Sequence, residues 1–192
     1  MNLHFLHDTK DERIVSILKE GLSCVLDERI TKNYNPKYSE HNANLFYLLE
    51  HGRYRYSKGK FFVLENNGKF VACAGWNEYE EDPNIALLLT RVYIAPEYRA
   101  NYFLTKYFLP AMLPEALSYS KIWMTFNSYN KVIYDWFIKI NNSGQDGFVA
   151  KKFPIFKSFK PIGLQLIYFT DQYVIEYQKQ SNEFHIQYSF SK

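Results

Sequence analysis

Apolar and polar positions follow two different periods along this chain, and the changes of period separate predicted strands from predicted helices. Residues 1–6 have the pattern of a short strand. An apolar stripe with helical spacing then continues to Glu20, and Gly21 predicts the end of that helix. The polar residues 27–38 are interpreted as a loop, and a second helical stripe covers residues 39–51.

A β-hairpin gives the clearest strand signal in the sequence. Two apolar runs, residues 61–65 and 69–76, are separated by Asn-Asn-Gly at residues 66–68. Asn-Gly is the turn sequence that most strongly favours a two-residue hairpin connection. The acidic residues 78–84 are interpreted as the loop that follows this hairpin.

The stretch of residues 86–104 predicts a strand, a tight turn and the start of a helix. Pro96 ends the strand because proline has no N–H group to donate. Asn101 is the predicted N-cap of the next helix, and two prolines inside that helix predict a kink or break near Leu109. A helix N-terminus directly after a strand suits an anionic group, and Arg99 adds a positive charge there.

The remaining elements alternate in the same way. They are a strand at 122–126, a helix at 131–140, a loop at 141–147, an antiparallel pair at 163–170 and 173–178, and a last strand at 184–190. Alternation of this kind predicts an α/β (α+β) protein with a mixed sheet between helices.

Composition narrows the class of protein. A chain of 192 residues with 47% hydrophobic and 22% charged residues predicts one globular domain, residues 1–192. A net charge of +3 argues against a dedicated nucleic-acid-binding protein. Two distant cysteines, no apolar run of membrane-spanning length and no signal-peptide pattern predict a cytoplasmic location. The histidines lack metal-ligand spacing, so we expect no metal site.

The run from Arg91 to Arg99, RVYIAPEYR, resembles the fourth strand and acyl-CoA loop of the GNAT superfamily of N-acetyltransferases. In that family the loop continues as Arg-x-x-Gly-x-Gly/Ala, and its backbone N–H groups hold the pyrophosphate of acetyl-CoA. The matching residues of this chain are Arg99, Ala100, Asn101, Tyr102, Phe103 and Leu104. Tyr102 and Leu104 therefore stand where the family has small residues, although glycine is what lets a backbone approach a phosphate closely.

A second motif matches the family further along the chain. Asn127 ends a predicted strand, and Tyr134 follows it by seven residues in a predicted helix, which is the family's spacing. The resemblance implies that Tyr134 protonates the leaving thiolate and that Asn127 contacts the cofactor. A core position on the helix face is the other interpretation of Tyr134.

The resemblance also implies how the rest of the site is built. The fourth and fifth strands of a mostly antiparallel sheet diverge, and the backbone of Val92, Tyr93 and Ile94 pairs with the pantetheine arm. A carboxylate serves as general base in such a reaction. Glu78, Glu80 and Glu81 are the nearest candidates by sequence, with a solvated acidic loop as the alternative. We therefore expect an acyltransferase that uses acetyl-CoA, or another acyl-CoA, and an amine acceptor that is a small molecule or a macromolecule.

Two other functions stay open at this point. Lysines and phenylalanines interleave from Lys151 to Lys160, a pattern typical of single-stranded nucleic-acid binding and equally of an edge strand guarded by lysine. A nucleic-acid-modifying enzyme of this family is therefore one alternative. The other is a non-enzymatic binding protein whose CoA site is closed by Tyr102 and Leu104.

Overall fold

A seven-stranded sheet forms the centre of the fold. The computed structural model describes residues 1–6, 12–31, 58–99, 101–127, 131, 134, 135, 138, 159–167 and 170–178. The strands are β1 (Asn2–Leu6), β2 (Gly59–Asn66), β3 (Lys69–Tyr79), β4 (Asp82–Ile94), β5 (Lys121–Asn127), β6 (Lys160–Ile167) and β7 (Thr170–Gln178). Helix α1 spans Glu12–Thr31; a π-helical turn, Leu104–Phe108, leads into helix α2, Leu109–Ala116.

The strand order is β1-β2-β3-β4-β5-β7-β6. Every neighbouring pair is antiparallel except β4 and β5, which are parallel. The parallel pair needs a crossover connection, and the π-helical turn with α2 supplies it. The prediction of a mixed, mostly antiparallel sheet is confirmed.

Helices lie on both faces of the sheet, as predicted. On one face, α1 packs Ile14 and Leu18 in a cluster with Phe61 and Val63. On the other face, α2 packs Met112 in a larger cluster that includes residues of β2 to β5 and β7. We call these the α1 face and the α2 face. Burial of these aliphatic and aromatic side chains supplies the main driving force for folding.

The predicted hairpin between β2 and β3 is confirmed. Asn67 and Gly68 form its two-residue turn with φ values of 52° and 80°. Positive φ at both positions defines the type I′ turn, whose twist matches that of the flanking strands.

The predicted helix end at Gly21 is wrong, because α1 continues through it to Thr31. The first residues of the predicted 27–38 loop are therefore helical. A Cβ atom at position 21 would overlap the ring of Phe70, so glycine allows helix and sheet to approach closely there. A long-range contact thus accounts for this glycine, and local helix termination does not.

Two further predictions need correction. The acidic loop at 78–84 is only a tight turn, because β3 runs to Tyr79 and β4 already begins at Asp82. The expected irregularity near Leu109 is present, but it takes the form of the π-helical turn that ends at Phe108. Continued ladder hydrogen bonds explain the first difference, since pairing outweighs the loop preference of acidic residues.

The predicted strand at 122–126 and the closing antiparallel pair are confirmed as β5, β6 and β7. Residues 131, 134, 135 and 138 are helical, in agreement with the helix predicted there. The predicted helix at 39–51, the loop at 141–147, lysines 151 to 157 and the strand at 184–190 lie outside the described residues. Among the helices that are described, none combines the length and the apolar character needed to span a membrane.

Candidate active site

The parallel strands β4 and β5 diverge in the middle of the sheet. They pair only from Ile85 opposite Lys121 to Leu88 opposite Met124. Beyond that point β4 stays paired with β3 as far as Ile94, and β5 stays paired with β7 as far as Asn127. A gap therefore opens between the fourth and fifth strands, as the resemblance implies.

Two bulges in β4 mark the start of this gap. Leu89 and Arg91 both have a φ of 56°, and the register against β3 shifts on both sides of Gly75, which lies opposite Thr90. A bulge adds a residue to one strand, bends it and increases its twist. The local backbone of β4 thus provides a physical reason for its departure from β5.

The edge of β4 that faces the gap is formed by alternate residues. The Ala95 N–H donates to the Val71 carbonyl of β3 at 2.9 Å. Because backbone groups alternate in direction along a strand, Tyr93 also faces β3, while Val92 and Ile94 face the gap. Of the three predicted cofactor-binding residues on β4, two therefore offer backbone N–H and C=O groups to the gap.

The loop after β4 begins with a 3₁₀ turn, Pro96–Tyr98, and carries the exposed side chain of Arg99. The Arg99 Nε–H donates to the Ile94 carbonyl at 3.2 Å, and its guanidinium lies 5.9 Å from the centre of the Tyr93 ring. These contacts hold the cation at the end of the open β4 edge.

The predicted N-cap role of Asn101 is wrong. Its side-chain Nδ2–H donates backwards, to the carbonyls of Tyr98 at 3.1 Å and Arg99 at 3.2 Å. The first helical hydrogen bond is instead accepted by Tyr102, from the Lys106 N–H at 2.9 Å. The amide of Asn101 thus stabilises the loop, because two carbonyls at its turn point towards the same donor.

Three backbone N–H groups, those of Phe103, Leu104 and Thr105, precede this first helical bond. Such groups have no acceptor within their own helix and commonly bind anions. Tyr102 itself has a φ of 55°, and its side chain is 56% exposed. The side chain therefore points outward, and the backbone has a conformation that glycine adopts at less cost than other residues. Ala100 lies outside the described residues.

Tyr134 lies at the level of the gap on the α2 face. It is buried, and its ring stacks on Tyr173 with 4.7 Å between ring centres. Tyr173 lies opposite Phe126, two residues beyond the last β5 residue that pairs with β4. Asn127 ends β5, as predicted.

Lys131 brings positive charge to this pair of tyrosine rings. Its ammonium lies 6.0 Å from the centre of the Tyr173 ring and donates to both carboxylate oxygens of Asp135 at 2.7 Å. The hydrogen bond to Asp135 is the main reason why the pKa of Lys131 is raised. The lysine therefore stays protonated beside Tyr134.

Glu78 lies further down the sheet. It pairs with Ala86, three residues before Leu89, which corresponds to about 10 Å along the strand. Both oxygens of its carboxylate accept from Lys58 at 3.0 Å. The Tyr119 hydroxyl also binds this carboxylate, and burial together with the Glu78 charge raises the pKa of Tyr119. The structure does not bring Glu78 together with Tyr134.

Sequence reasoning missed the pair of Trp123 and Glu176. The indole Nε1–H of Trp123 donates to Glu176 Oε2 at 2.7 Å. Trp123 lies opposite Leu87, next to the last β4–β5 pair. No local motif marks Glu176, and only the register between β5 and β7 places it here. No group of three metal-ligating side chains occurs among the residues that the structure describes.

Solved structures of GNAT acetyltransferases have the same fold. A GNAT-family acetyltransferase from Staphylococcus aureus Mu50 matches with a TM-score of 0.56 at 14% identity, over 93% of this chain and 100% of that one. An acetyltransferase from Streptococcus agalactiae 2603 matches with a TM-score of 0.56 at 15% identity, over 92% and 98%. The PaiA N-acetyltransferase from Thermoplasma acidophilum, solved in complex with coenzyme A, gives 0.52 at 13% identity, over 93% and 100%.

No protein-family model and no curated protein sequence matches the chain. At such low identities the structural likeness shows the fold, and the function has to be argued from the site itself.

Proposed function

We propose that this protein is an N-acyltransferase that moves an acetyl or other acyl group from acyl-CoA to an amine. The observation that carries this proposal is the divergence of β4 and β5, which opens a gap directly beside a helix N-terminus. An extended arm with amide groups and a pyrophosphate at one end has the chemistry for both features. Cys73 is buried and its thiol contacts the Arg91 carbonyl, which agrees with a reducing, cytoplasmic location.

In this proposal the backbone of Val92 and Ile94 pairs with the pantetheine amides, as in strand addition. The N–H groups of Phe103, Leu104 and Thr105 bind the pyrophosphate, and Arg99 contributes its charge. Bound acyl-CoA supplies the activated thioester. One structural neighbour was solved with coenzyme A, which supports this choice of donor.

Tyr134 is proposed as the general acid that protonates the leaving thiolate. Support comes from its burial at the level of the gap and from the nearby ammonium of Lys131, which favours negative charge on a phenol oxygen during proton transfer. Glu78 stays a sequence-based candidate for the general base. Its carboxylate is already paired with the Lys58 ammonium at 3.0 Å.

Two measurements test the proposal. Calorimetric titration with acetyl-CoA and CoA should show binding in the micromolar range. Thiol release in the presence of primary amines should then show turnover, and Tyr134→Phe should lower kcat by about 100-fold with CoA affinity nearly unchanged. Tyr119→Phe is the matched control, because it removes a phenol hydroxyl on the same face at the far end of the sheet.

The absence of CoA binding at millimolar concentration would contradict the proposed donor. Equal turnover of Tyr134→Phe and Tyr119→Phe would remove the general-acid role while leaving acyl transfer intact.

A further inference from the structure

The carboxylate of Glu176 lies on β7, one strand away from the gap and level with the next-to-last β4–β5 pair, on the face opposite Tyr134. We infer that it binds the ammonium group of the acceptor and takes up the proton that this group must lose. This inference rests on the proposed function. It adds the side from which the amine acceptor enters, the charge of that acceptor, and the residue that takes up its proton. The acceptor class is an aliphatic amine that is cationic in water.

The strand register fixes the position of Glu176. It lies directly opposite Trp123 of β5, and Trp123 lies opposite Leu87 of β4. Leu88 and Met124, the next residues, form the last pair before the gap. Trp123 packs in a cluster on the α1 face, whereas Tyr134 belongs to the cluster on the α2 face. An acceptor that reaches Glu176 therefore approaches the thioester from the side away from the proposed acid.

One oxygen of this carboxylate is held and the other is available. Oε2 accepts the Trp123 indole N–H at 2.7 Å, and within the described residues Oε1 has no hydrogen bond or ion pair. Glu176 is half-buried, so a bound ammonium would be partly desolvated and its attraction to the carboxylate strengthened. Glu78 differs in this respect, since Lys58 already neutralises it.

The indole that binds this carboxylate packs against a second aromatic ring from β3. The rings of Trp123 and Tyr79 lie 5.6 Å apart, and the Tyr79 hydroxyl donates to Glu81 at 2.6 Å. Indole and phenol faces attract ammonium groups and also contact aliphatic carbon. These contacts favour an amine on an alkyl chain over one on a strongly polar carrier.

Two described lysines lie near Glu176 without binding its carboxylate. Lys160 lies opposite Glu176 across β6 and β7, and Lys121 lies two residues before Trp123 on β5. Neither lysine forms an ion pair with Glu176 in the described part of the chain. Within the described residues, an incoming ammonium therefore has no internal cation to displace.

The chemical step balances with these residues. Glu176 Oε1 takes one proton from the ammonium, which leaves a neutral amine with a free electron pair. The nitrogen forms a bond to the acyl carbon as the C–S bond breaks, and Tyr134 gives its proton to the sulfur. The nitrogen then releases its second proton to water, Tyr134 regains a proton from water, and Glu176 releases its proton to water.

The indole N–H of Trp123 allows the inference to be tested without turnover. In protein labelled with ¹⁵N-tryptophan, Trp123→Phe identifies its signal among the three indole resonances. Addition of n-butylammonium chloride should move this signal, whereas sodium chloride or butan-1-ol at equal concentration should not. In Glu176→Gln, which keeps an acceptor for the indole, the ammonium-specific shift should vanish. Asp171→Asn, an exposed carboxylate on the same strand, should retain it.

Kinetics provide the second measurement. Glu176→Gln should raise the KM for n-butylamine by about 10-fold or more and lower kcat/KM further, with CoA affinity unchanged. An unmoved indole signal in the wild type, or equal amine KM values for Glu176→Gln and Asp171→Asn, would overturn the inference. A large loss of kcat/KM in Glu78→Gln, without such a loss in Glu176→Gln, would show that the general base is the sequence-predicted residue Glu78. These outcomes leave CoA binding and the effect of Tyr134→Phe unchanged, and the proposed function depends on those two measurements.

Discussion

Tyr102 has a backbone conformation that most side chains avoid. Its φ of 55° costs an L-residue about 1 kcal/mol, and glycine at this position would remove that cost. Part of this gain in folding stability is offset because glycine has more conformational freedom in the unfolded chain. We therefore expect Tyr102→Gly to leave the free energy of unfolding unchanged or raised by up to about 1 kcal/mol, and to tighten CoA binding, as measured by denaturant titration and calorimetry.

Tyr102→Ala is the matched control for this change. Alanine also removes the ring but keeps the strained backbone. Tighter CoA binding in both variants would identify the ring as the obstacle, whereas a gain in Tyr102→Gly alone would identify the backbone. Weaker binding in Tyr102→Gly would contradict the assignment of the pyrophosphate to this helix N-terminus.

Glu65 is a buried carboxylate that joins β2 to its neighbours. Hydrogen bonds from Asn2 at 2.9 Å and from the Gly68 N–H at 2.6 Å lower its pKa, with smaller contributions from His4 and Arg13. A lowered pKa means that the ionised form is stabilised by folding. The resulting stability is complete at neutral pH and is lost as pH falls through the lowered value.

Glu65→Gln should therefore lower the free energy of unfolding at pH 7, and its effect should shrink as the pH becomes acidic. Denaturant titrations across this range measure the difference, with the exposed Glu97→Gln as control. A constant difference at all pH values would show that shape, and not charge, accounts for the role of Glu65.

At the scale of elements, local chemistry was sufficient for some predictions. Asn67 and Gly68 determine the hairpin turn through their own backbone preferences, and proline ends β4 for a local reason. The prediction of a helix end at Gly21 is wrong because its contact partner, Phe70, is distant in sequence. The N-cap prediction for Asn101 is wrong because its amide binds carbonyls behind it, and nothing in a one-dimensional pattern gives that direction.

The residues of the candidate site likewise include some that local sequence can place and others that only long-range strand pairing places. The spacing between Asn127 and Tyr134 is a property of a strand followed by a helix, so sequence could place both at one end of β5. Glu176 reaches Trp123 only through the pairing of β5 with β7, which has no local signal. The prediction of Glu78 rests on proximity in sequence. In the structure the pairing of β3 with β4 continues through Glu78 and places it below the gap.

At the scale of the whole molecule, the sheet is formed by two groups of strands that share only a short parallel contact. β1 to β4 form one antiparallel group and β5 to β7 the other, and Ile85 to Leu88 pair with Lys121 to Met124 between them. Bulges at Leu89 and Arg91 bend β4 away beyond this contact. The gap is thus a consequence of how the two groups of strands meet.

Hydrogen exchange tests this arrangement. The N–H groups of Val92 and Ile94 face the gap, whereas those of Tyr93 and Ala95 face β3. In the free protein the first two should exchange faster, because no strand protects them. CoA should slow them by about tenfold or more and change Tyr93 and Ala95 much less, since only the outer edge gains hydrogen bonds. Equal exchange at all four amides would show that β4 lacks an open edge, and protection confined to the loop after Ile94 would place CoA outside the gap.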